Sequence, residues 1–146
     1  MSDEVLDNID LDLSGVDLQR PIIDNQVLLV KTGEVKIEVN EQKQRRLVIP
    51  LTLEEPGTSV AGKPVNVGFN VTHSMLITPT GGLTQERINE ELAKFQVAVL
   101  KLEKPQQFGA LSQYRDQLVR AKFTARADKN DPNKQFQDVK AWIKAS

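Results

Sequence analysis

The sequence contains no cysteine, one histidine and few aromatic residues, and each shortage excludes a class of site. Without cysteine the chain has no disulfide, no thiolate-bound metal and no cysteine nucleophile, which is typical of proteins from a reducing compartment. His73 has no neighbouring histidine or carboxylate at a spacing typical of zinc ligands, and we expect it at the end of a strand. Aromatic residues make up 5% of the chain, so little surface is available for stacking on bases.

Long apolar runs and a secretory signal are also missing from the sequence. No run approaches the roughly 18 residues that cross a bilayer. Residues 1–10 lack the basic region and the apolar stretch of a signal peptide. We therefore expect a cytoplasmic protein without membrane contacts. Its 146 residues, of which 39% are hydrophobic and 27% charged, predict a single globular domain.

Charge is distributed unevenly between the N-terminal residues and the rest of the chain. Residues 1–19 contain six acidic and no basic residues, a charge of −6, whereas the remaining 14 acidic and 19 basic residues give +5. We therefore divide the chain into an acidic N-terminal arm, residues 1–20, and a mildly basic domain, residues 21–146. In the arm, Leu11 and Leu13 alternate with aspartates at the period of a strand. The arm is either a solvated tail or a strand that pairs with a sheet edge, on its own domain or on a partner protein.

Hydrophobic alternation predicts five strands, with one long helix between the third and the fourth. The predicted strands are residues 26–39, 45–54, 63–73, 118–127 and 135–145. The predicted helix runs from Gln85 to Glu103 with Thr84 as its N-cap, and a second, short helix is expected at residues 108–115. The long helix carries an apolar stripe formed by Ile88, Leu92, Phe95, Val99 and Leu102. That stripe packs either into the core of the domain or against another copy of the chain, so the sequence leaves both a monomer and a homo-oligomer as alternatives.

This order of elements is that of the OB-fold, a partly open β-barrel of five strands. We therefore expect a mainly β protein, an OB-fold-like β-barrel with five strands and one long α-helix between strands 3 and 4. A different mixed α+β sheet is the alternative. Gly33 is expected to mark a bulge or bend in the first strand, and Pro50 an edge or bulge in the second. Parity along the last strand points Val139, Ala141 and Ile143 inward.

The outer face predicted for the final hairpin combines cations with flat side chains, as single-strand binding requires. In the expected register, Arg120 lies across from Trp142 and Arg126 across from Phe136. Basic residues also occupy the turns of the first and last hairpins, where OB-folds commonly bind oligonucleotides. The predicted nucleic-acid-binding residues are Lys43, Arg45, Arg46, Arg120, Lys122, Arg126, Lys129, Lys134, Phe136, Lys140, Trp142 and Lys144. The alternative is an ordinary solvated strand face, with Trp142 packed under the arm or a helix.

Three stretches of the chain carry a resemblance to a known group of proteins. They are Leu-Ser-Gly-Val-Asp at residues 13–17, Gly-Lys-Pro-Val-Asn-Val-Gly-Phe at 62–69, and Leu-Val-Arg-Ala-Lys-Phe at 118–123 followed by Phe-Gln-Asp-Val-Lys at 136–140. The chain thereby resembles small OB-fold-like proteins that bacteriophages encode beside their replication and recombination genes, some of which bind single-stranded DNA. It departs from them at residues 115–117, Arg-Asp-Gln, where a Gly-Lys pair commonly precedes the fourth strand.

The resemblance implies a sequence-tolerant, single-stranded DNA-binding accessory protein of phage replication or recombination. Its expected partners are single-stranded DNA and, through residues 1–20, other phage replication or recombination proteins. The second hypothesis is a non-enzymatic phage structural or protein-interaction module with an OB-like barrel. We expect neither a cofactor nor an enzymatic activity, because no catalytic triad, metal-ligand set or phosphate-binding loop is recognisable.

Overall fold

The alternating segments form a sheet, and one α-helix packs against it. The computed structural model describes residues 10–14, 20–128, 130–131 and 135–145. Within them the elements are β1 (Gln26–Thr32), β2 (Lys36–Val39), β3 (Arg45–Leu53), β4 (Gly57–Thr58), β5 (Pro64–Val65), β6 (Asn70–Leu76), α1 (Gln85–Leu100), a 3₁₀ turn (Leu111–Tyr114), β7 (Leu118–Ala127) and β8 (Gln135–Lys144). In the main sheet β3 lies between β6 on one edge and β1 and β2 on the other, and β7 and then β8 follow β1. All these pairs are antiparallel.

The central strand β3 follows from strict alternation in its sequence. Leu47, Ile49, Leu51 and Leu53 lie at every second position, and all four are buried as predicted. They share one hydrophobic core with Phe95 of α1. Burying each of these side chains stabilises the fold by about 1.5–3 kcal/mol, so the core fixes which face of β3 points inward.

The first predicted strand is broken at Gly33, as the sequence indicated. The N–H of Gly33 donates to the carbonyl of Pro50 at 2.8 Å. A side chain at Gly33 would approach Pro50, because a Cβ there would lie 3.2 Å from that of Pro50. Pro50 has no backbone N–H to donate, and the side of β3 on which that N–H would lie faces the break between β1 and β2. Beyond the break, Ile37 and Val39 alternate with charged residues as in a half-buried strand, yet they are 45% and 60% exposed. β2 pairs with β3 alone among the described strands.

The helix α1 begins where its sequence predicts and ends earlier. Thr84 Oγ1 accepts a backbone N–H of the first turn at 3.2 Å. The helix stops at Leu100 because Lys101 adopts the left-handed conformation, with φ of 57°. Phe95 and Val99 of the predicted stripe are buried against the sheet. The short second helix is a single 3₁₀ turn.

The prediction for the third strand was wrong in its boundaries. Gly68 has a φ of 93° and lies in a turn, so β6 begins only at Asn70 and continues to Leu76. Val67 alternates in the sequence with Val65 and Val71, yet it is 56% exposed whereas those two are buried. His73 lies in the middle of β6 and is buried, whereas the sequence indicated a strand end.

A β-bulge interrupts the regular pairing of β7 with β8. Phe123 pairs with Val139, but the preceding residue on β7, Lys122, pairs with Ala141. Lys140 is therefore an extra residue without a partner on β7. Because side chains alternate along a strand, one extra residue exchanges the two faces for everything that follows it.

The bulge overturns the predicted orientation of Trp142. This residue pairs with the buried Ala121, not with Arg120, and it points inward. Its ring meets that of Phe95 edge to face, with the centroids 4.9 Å apart. Ile143, predicted to point inward, is 43% exposed and pairs with Arg120.

The sheet curves until its outer strands, β6 and β8, approach each other, but it does not close. No ladder joins these two strands among the described residues. His73 Nδ1 on β6 nevertheless lies 3.1 Å from Asp138 Oδ1 on β8. A mainly β fold with one α-helix is thus confirmed, and its sheet is open. None of the helices in the described part of the chain has the length and apolar character needed to cross a membrane.

Candidate nucleic-acid interface

A polar groove of about 400 Å³ lies where β6 and β8 approach each other. Alternation along β6 explains much of its lining, because Val71 and His73 are buried whereas Asn70, Thr72 and Ser74 point outward. We call it the β6–β8 groove. The residues that give it its character are Arg20, Phe69, Asn70, Thr72, Ser74, Arg126, Phe136 and Asp138.

Two arginine–aromatic pairs belong to this groove. The guanidinium carbon of Arg20 lies 5.2 Å from the centre of the Phe69 ring, and that of Arg126 lies 5.3 Å from the centre of the Phe136 ring. Both distances fall within the roughly 6 Å range of cation–π contacts. Arg20 also donates to the carbonyl of Asn70 at 2.6 Å, which holds its guanidinium against β6. The groove therefore presents a cation beside a flat ring at two places.

The pairing of Arg126 with Phe136 was predicted from the sequence and is confirmed. The two residues are direct partners in the β7–β8 register, before the bulge, so their side chains share the outer face. Phe136 is 37% exposed, which leaves part of its ring accessible.

Asp138 sets the charge balance of the groove. Its Oδ1 lies 3.1 Å from His73 Nδ1 and its Oδ2 lies 3.8 Å from Arg126 Nε. The two atoms lie within hydrogen-bonding distance, although the angles of the contact are not those of a well-formed hydrogen bond. The nearby imidazole, with smaller contributions from the backbone N–H of Val139 and from Arg126, lowers the pKa of Asp138 against the opposing effect of burial. The carboxylate is therefore charged at neutral pH and partly neutralises Arg126.

The basic residues of the first hairpin lie beside the groove and outside it. Lys43 is an exposed turn residue with φ of 61°. Arg46 is exposed and its Nη1 lies 3.4 Å from Oγ of Ser74, which lines the groove. Arg45 is exposed on the same strand. Of these three predicted residues, Arg46 is the one that a contact connects to the groove.

Arg120 has a structural partner that the sequence did not reveal. Its Nη1 lies 2.7 Å from Glu55 Oε1. The same oxygen accepts the N–H of Leu29 at 2.7 Å, so Glu55 ties β7 to β1. Arg120 is thus engaged in a charge-assisted hydrogen bond within the fold, which leaves fewer of its donors available to a ligand.

The remaining predicted residues are dispersed. Lys122 is half-buried on the outer face, and Lys140 is exposed at the bulge. Trp142 and Lys144 line a separate, apolar groove beside α1. Lys129 and Lys134 lie outside the described residues. The structure therefore brings Arg126 and Phe136 together and separates Trp142 from them.

Sequence reasoning missed Arg20, Phe69 and Asp138. Arg20 precedes the first strand, and only the folded chain places it over Phe69. Phe69 falls within the predicted third strand, where the turn at Gly68 was not recognised. The N–H of Phe69 donates to the carbonyl of Asn66 at 3.2 Å, so the available signal was an asparagine at the first position and a glycine at the third position of this turn.

No group of three or more histidine, aspartate or glutamate side chains is arranged to hold a metal ion among the described residues. No protein-family model matches the sequence, and a search of curated proteins found no significant match. The resemblance to phage OB-fold-like proteins therefore stays a prediction made from the sequence.

Proposed function

We propose that the protein binds single-stranded DNA in the β6–β8 groove, without sequence preference, as an accessory factor of phage replication or recombination. The observation that carries the proposal is the presence of two arginine–aromatic pairs beside one groove. The phage setting rests on the sequence resemblance alone, whereas the cytoplasmic location and the lack of a catalytic role rest on the signals and motifs that the sequence lacks.

The groove supplies both interactions that single strands need. Arg20 and Arg126 attract phosphates, and phosphate binding releases counterions, so affinity falls as salt rises. The rings of Phe69 and Phe136 offer faces on which bases stack, and any base has such a face. Asn70, Thr72 and Ser74 are exposed polar side chains along β6, and they can hydrogen-bond to sugars or to base edges.

The order of elements supports an OB-like fold as part of this proposal. If the broken β1 and β2 are counted as one bent strand, and the two-residue strands β4 and β5 of the small separate sheet are left out, the chain runs through three strands, a helix and a two-strand hairpin. OB-folds bind oligonucleotides on their open strand faces and neighbouring loops. In a barrel close to closure the two outer strands lie near each other, and the contact between His73 and Asp138 brings β6 and β8 together in this way.

Fluorescence anisotropy with labelled oligothymidine tests the proposal. We expect binding that weakens as salt rises and that exceeds binding to duplex of the same length. Arg126→Ala should weaken binding and lower the salt dependence, whereas Arg87→Ala on α1 is the matched control, since Arg87 lies outside the groove. Absence of oligothymidine binding at low salt would rule the proposal out and leave the protein-interaction hypothesis.

A further inference from the structure

A second groove lies at the opposite end of β8. It has a volume of about 570 Å³ and is lined mainly by apolar side chains. We call it the helix groove, because α1 forms one wall and β8 the other. The residues that define it are Ala93, Val97, Pro105, Trp142, Ile143 and, at its rim, Lys144.

The helix groove extends beyond one face of β8. Trp142, Ile143 and Lys144 are consecutive and all line it, and consecutive strand residues point to opposite faces of a sheet. β7 pairs with one side of β8, and no other strand in the described part of the chain pairs with the other side. Such an edge is available for an added strand.

The acidic arm has the chemistry that this groove accepts. Its residues 10–14 read Asp-Leu-Asp-Leu-Ser, and Leu11 and Leu13 are 69% and 68% exposed. In an extended segment these leucines fall on one face. Burying them against Val97 and Trp142 leaves the aspartates at the rim, where Lys94 and Lys144 supply the opposite charge. The charge of −6 on residues 1–19 and +5 on the rest favours the same association.

The segment lies outside the helix groove of its own molecule, since Leu11 and Leu13 stay exposed and none of residues 10–14 lines that groove. Its C-terminal neighbour among the described residues, Arg20, is held by Asn70 and Phe69 in the β6–β8 groove. A second copy of the chain brings the same exposed, acidic segment to the helix groove. We infer that the Asp10–Leu13 segment of one molecule adds to the β8 edge of another, with its leucines in the helix groove.

Sedimentation velocity of the full chain at increasing concentration tests this inference. We expect reversible self-association that the double substitution L11D/L13D weakens at least about ten-fold, since burying one leucine is worth more than a ten-fold change in affinity. These leucines are exposed, so their replacement does not threaten the fold. Val39→Asp is the matched control, because Val39 is 60% exposed and lies outside the helix groove. A protein that stays monomeric at every concentration would overturn the inference.

Charge reversal identifies the two contacting surfaces. Exchanging both rim lysines for glutamate (K94E/K144E) or both aspartates for lysine (D10K/D12K) should each weaken association several-fold. Mixing the two variants should restore it, because the reversed charges then face each other. Failure of the mixture to associate would contradict the pairing of these surfaces.

The fluorescence of Trp142, the chain's one tryptophan, distinguishes binding of a second molecule's arm in the helix groove from binding of the molecule's own arm there. We expect its quenching by acrylamide to fall as concentration rises, and to be unaffected by L11D/L13D at concentrations where the protein is monomeric. A change of quenching in the monomeric variant would place the arm in its own groove and overturn the intermolecular inference.

Discussion

The two halves of β8 have opposite surroundings, although they belong to one strand. Before the bulge, Phe136 and Asp138 line a polar groove shared with β6. After it, Trp142 and Ile143 line an apolar groove shared with α1. The change of character coincides with Lys140, the one residue of β8 without a partner on β7.

The bulge accounts for this contrast, because it shifts the residues after Lys140 by one position in the alternation of the strand. Without the bulge, parity would place Trp142 on the outer face with Phe136 and the arginines, as a continuous aromatic and basic surface. With it, the largest ring of the strand contributes to the core against Phe95. The outer face keeps Phe136 alone as its stacking surface on β8. Variants of the two aromatic residues should therefore separate stability from binding.

Trp142→Ala should have the largest effect, and it should act on stability. The ring is half-buried against Phe95, and removing a large packed aromatic costs about 3 kcal/mol of the free energy of unfolding. Urea denaturation measures this loss. At a urea-free condition where the variant is still folded, its affinity for oligothymidine should be unchanged. If Trp142→Ala kept full stability but bound oligothymidine more weakly, Trp142 would belong to the nucleic-acid-binding surface and not to the core.

Phe136→Ala should show the reverse pattern. Losing one base-stacking ring costs about 1–3 kcal/mol of binding free energy, measured by oligothymidine anisotropy. Its unfolding free energy should change by less than about 1 kcal/mol, because the ring lies on the outer face. Leu118→Ala is the control, since Leu118 is similarly exposed, at 42%, and lies outside the groove. If Phe136→Ala and Leu118→Ala bound oligothymidine equally well, Phe136 would not be part of the binding site.

The sequence predicted most of the elements, because alternation and capping are local signals. β3, β7 and the start of α1 agree with prediction since each carries an uninterrupted pattern. β6 was displaced because the positive φ of Gly68 interrupts a run that alternates without a break in the sequence. The bulge at Lys140 was missed for a similar reason, since β8 alternates acceptably in either register.

The candidate site was predictable only where it depends on local pairing. Arg126 and Phe136 were found because a short hairpin fixes which residues lie opposite each other. Arg20 meets Phe69 across a long stretch of chain, and Glu55 meets Arg120 likewise. No pattern within either segment indicates such a contact, because tertiary packing alone brings the segments together.

Asp138→Asn should strengthen binding modestly. Removing the carboxylate releases Arg126 and takes a negative charge away from incoming phosphates. We expect a two- to five-fold gain in oligothymidine affinity at low salt, about 0.5–1 kcal/mol, in the range of a partly exposed ion pair. Glu103→Gln, an exposed change outside the groove, should have no effect. Weaker binding by Asp138→Asn would show that Asp138 positions Arg126 rather than competing with phosphate.

The same residue predicts a pH dependence of stability. The pKa of Asp138 is lowered in the folded state, chiefly by His73. Its carboxylate therefore stabilises the fold above the unfolded-state pKa of roughly 3.9, and this contribution disappears as pH falls through the folded-state pKa. The difference in unfolding free energy between the wild type and Asp138→Asn should accordingly be present at neutral pH and vanish in strong acid. A difference independent of pH would point to an effect of side-chain packing.

Deleting Lys140 should have the smallest effect, although it removes a residue from the interior of a strand. Without it, Val139 is followed directly by Ala141, and the pairs of these residues with Phe123 and Lys122 become consecutive in a regular ladder. Both grooves then keep their side chains on the present faces. We expect the unfolding free energy to change by less than about 1 kcal/mol, with Trp142 emission unchanged.

Inserting one alanine between Ala141 and Trp142 is the contrasting variant. The insertion moves Trp142 to the outer face and should destabilise the protein by at least as much as Trp142→Ala. If the deletion is as damaging as the insertion, the local twist that a bulge adds, and not the register alone, holds Trp142 against α1.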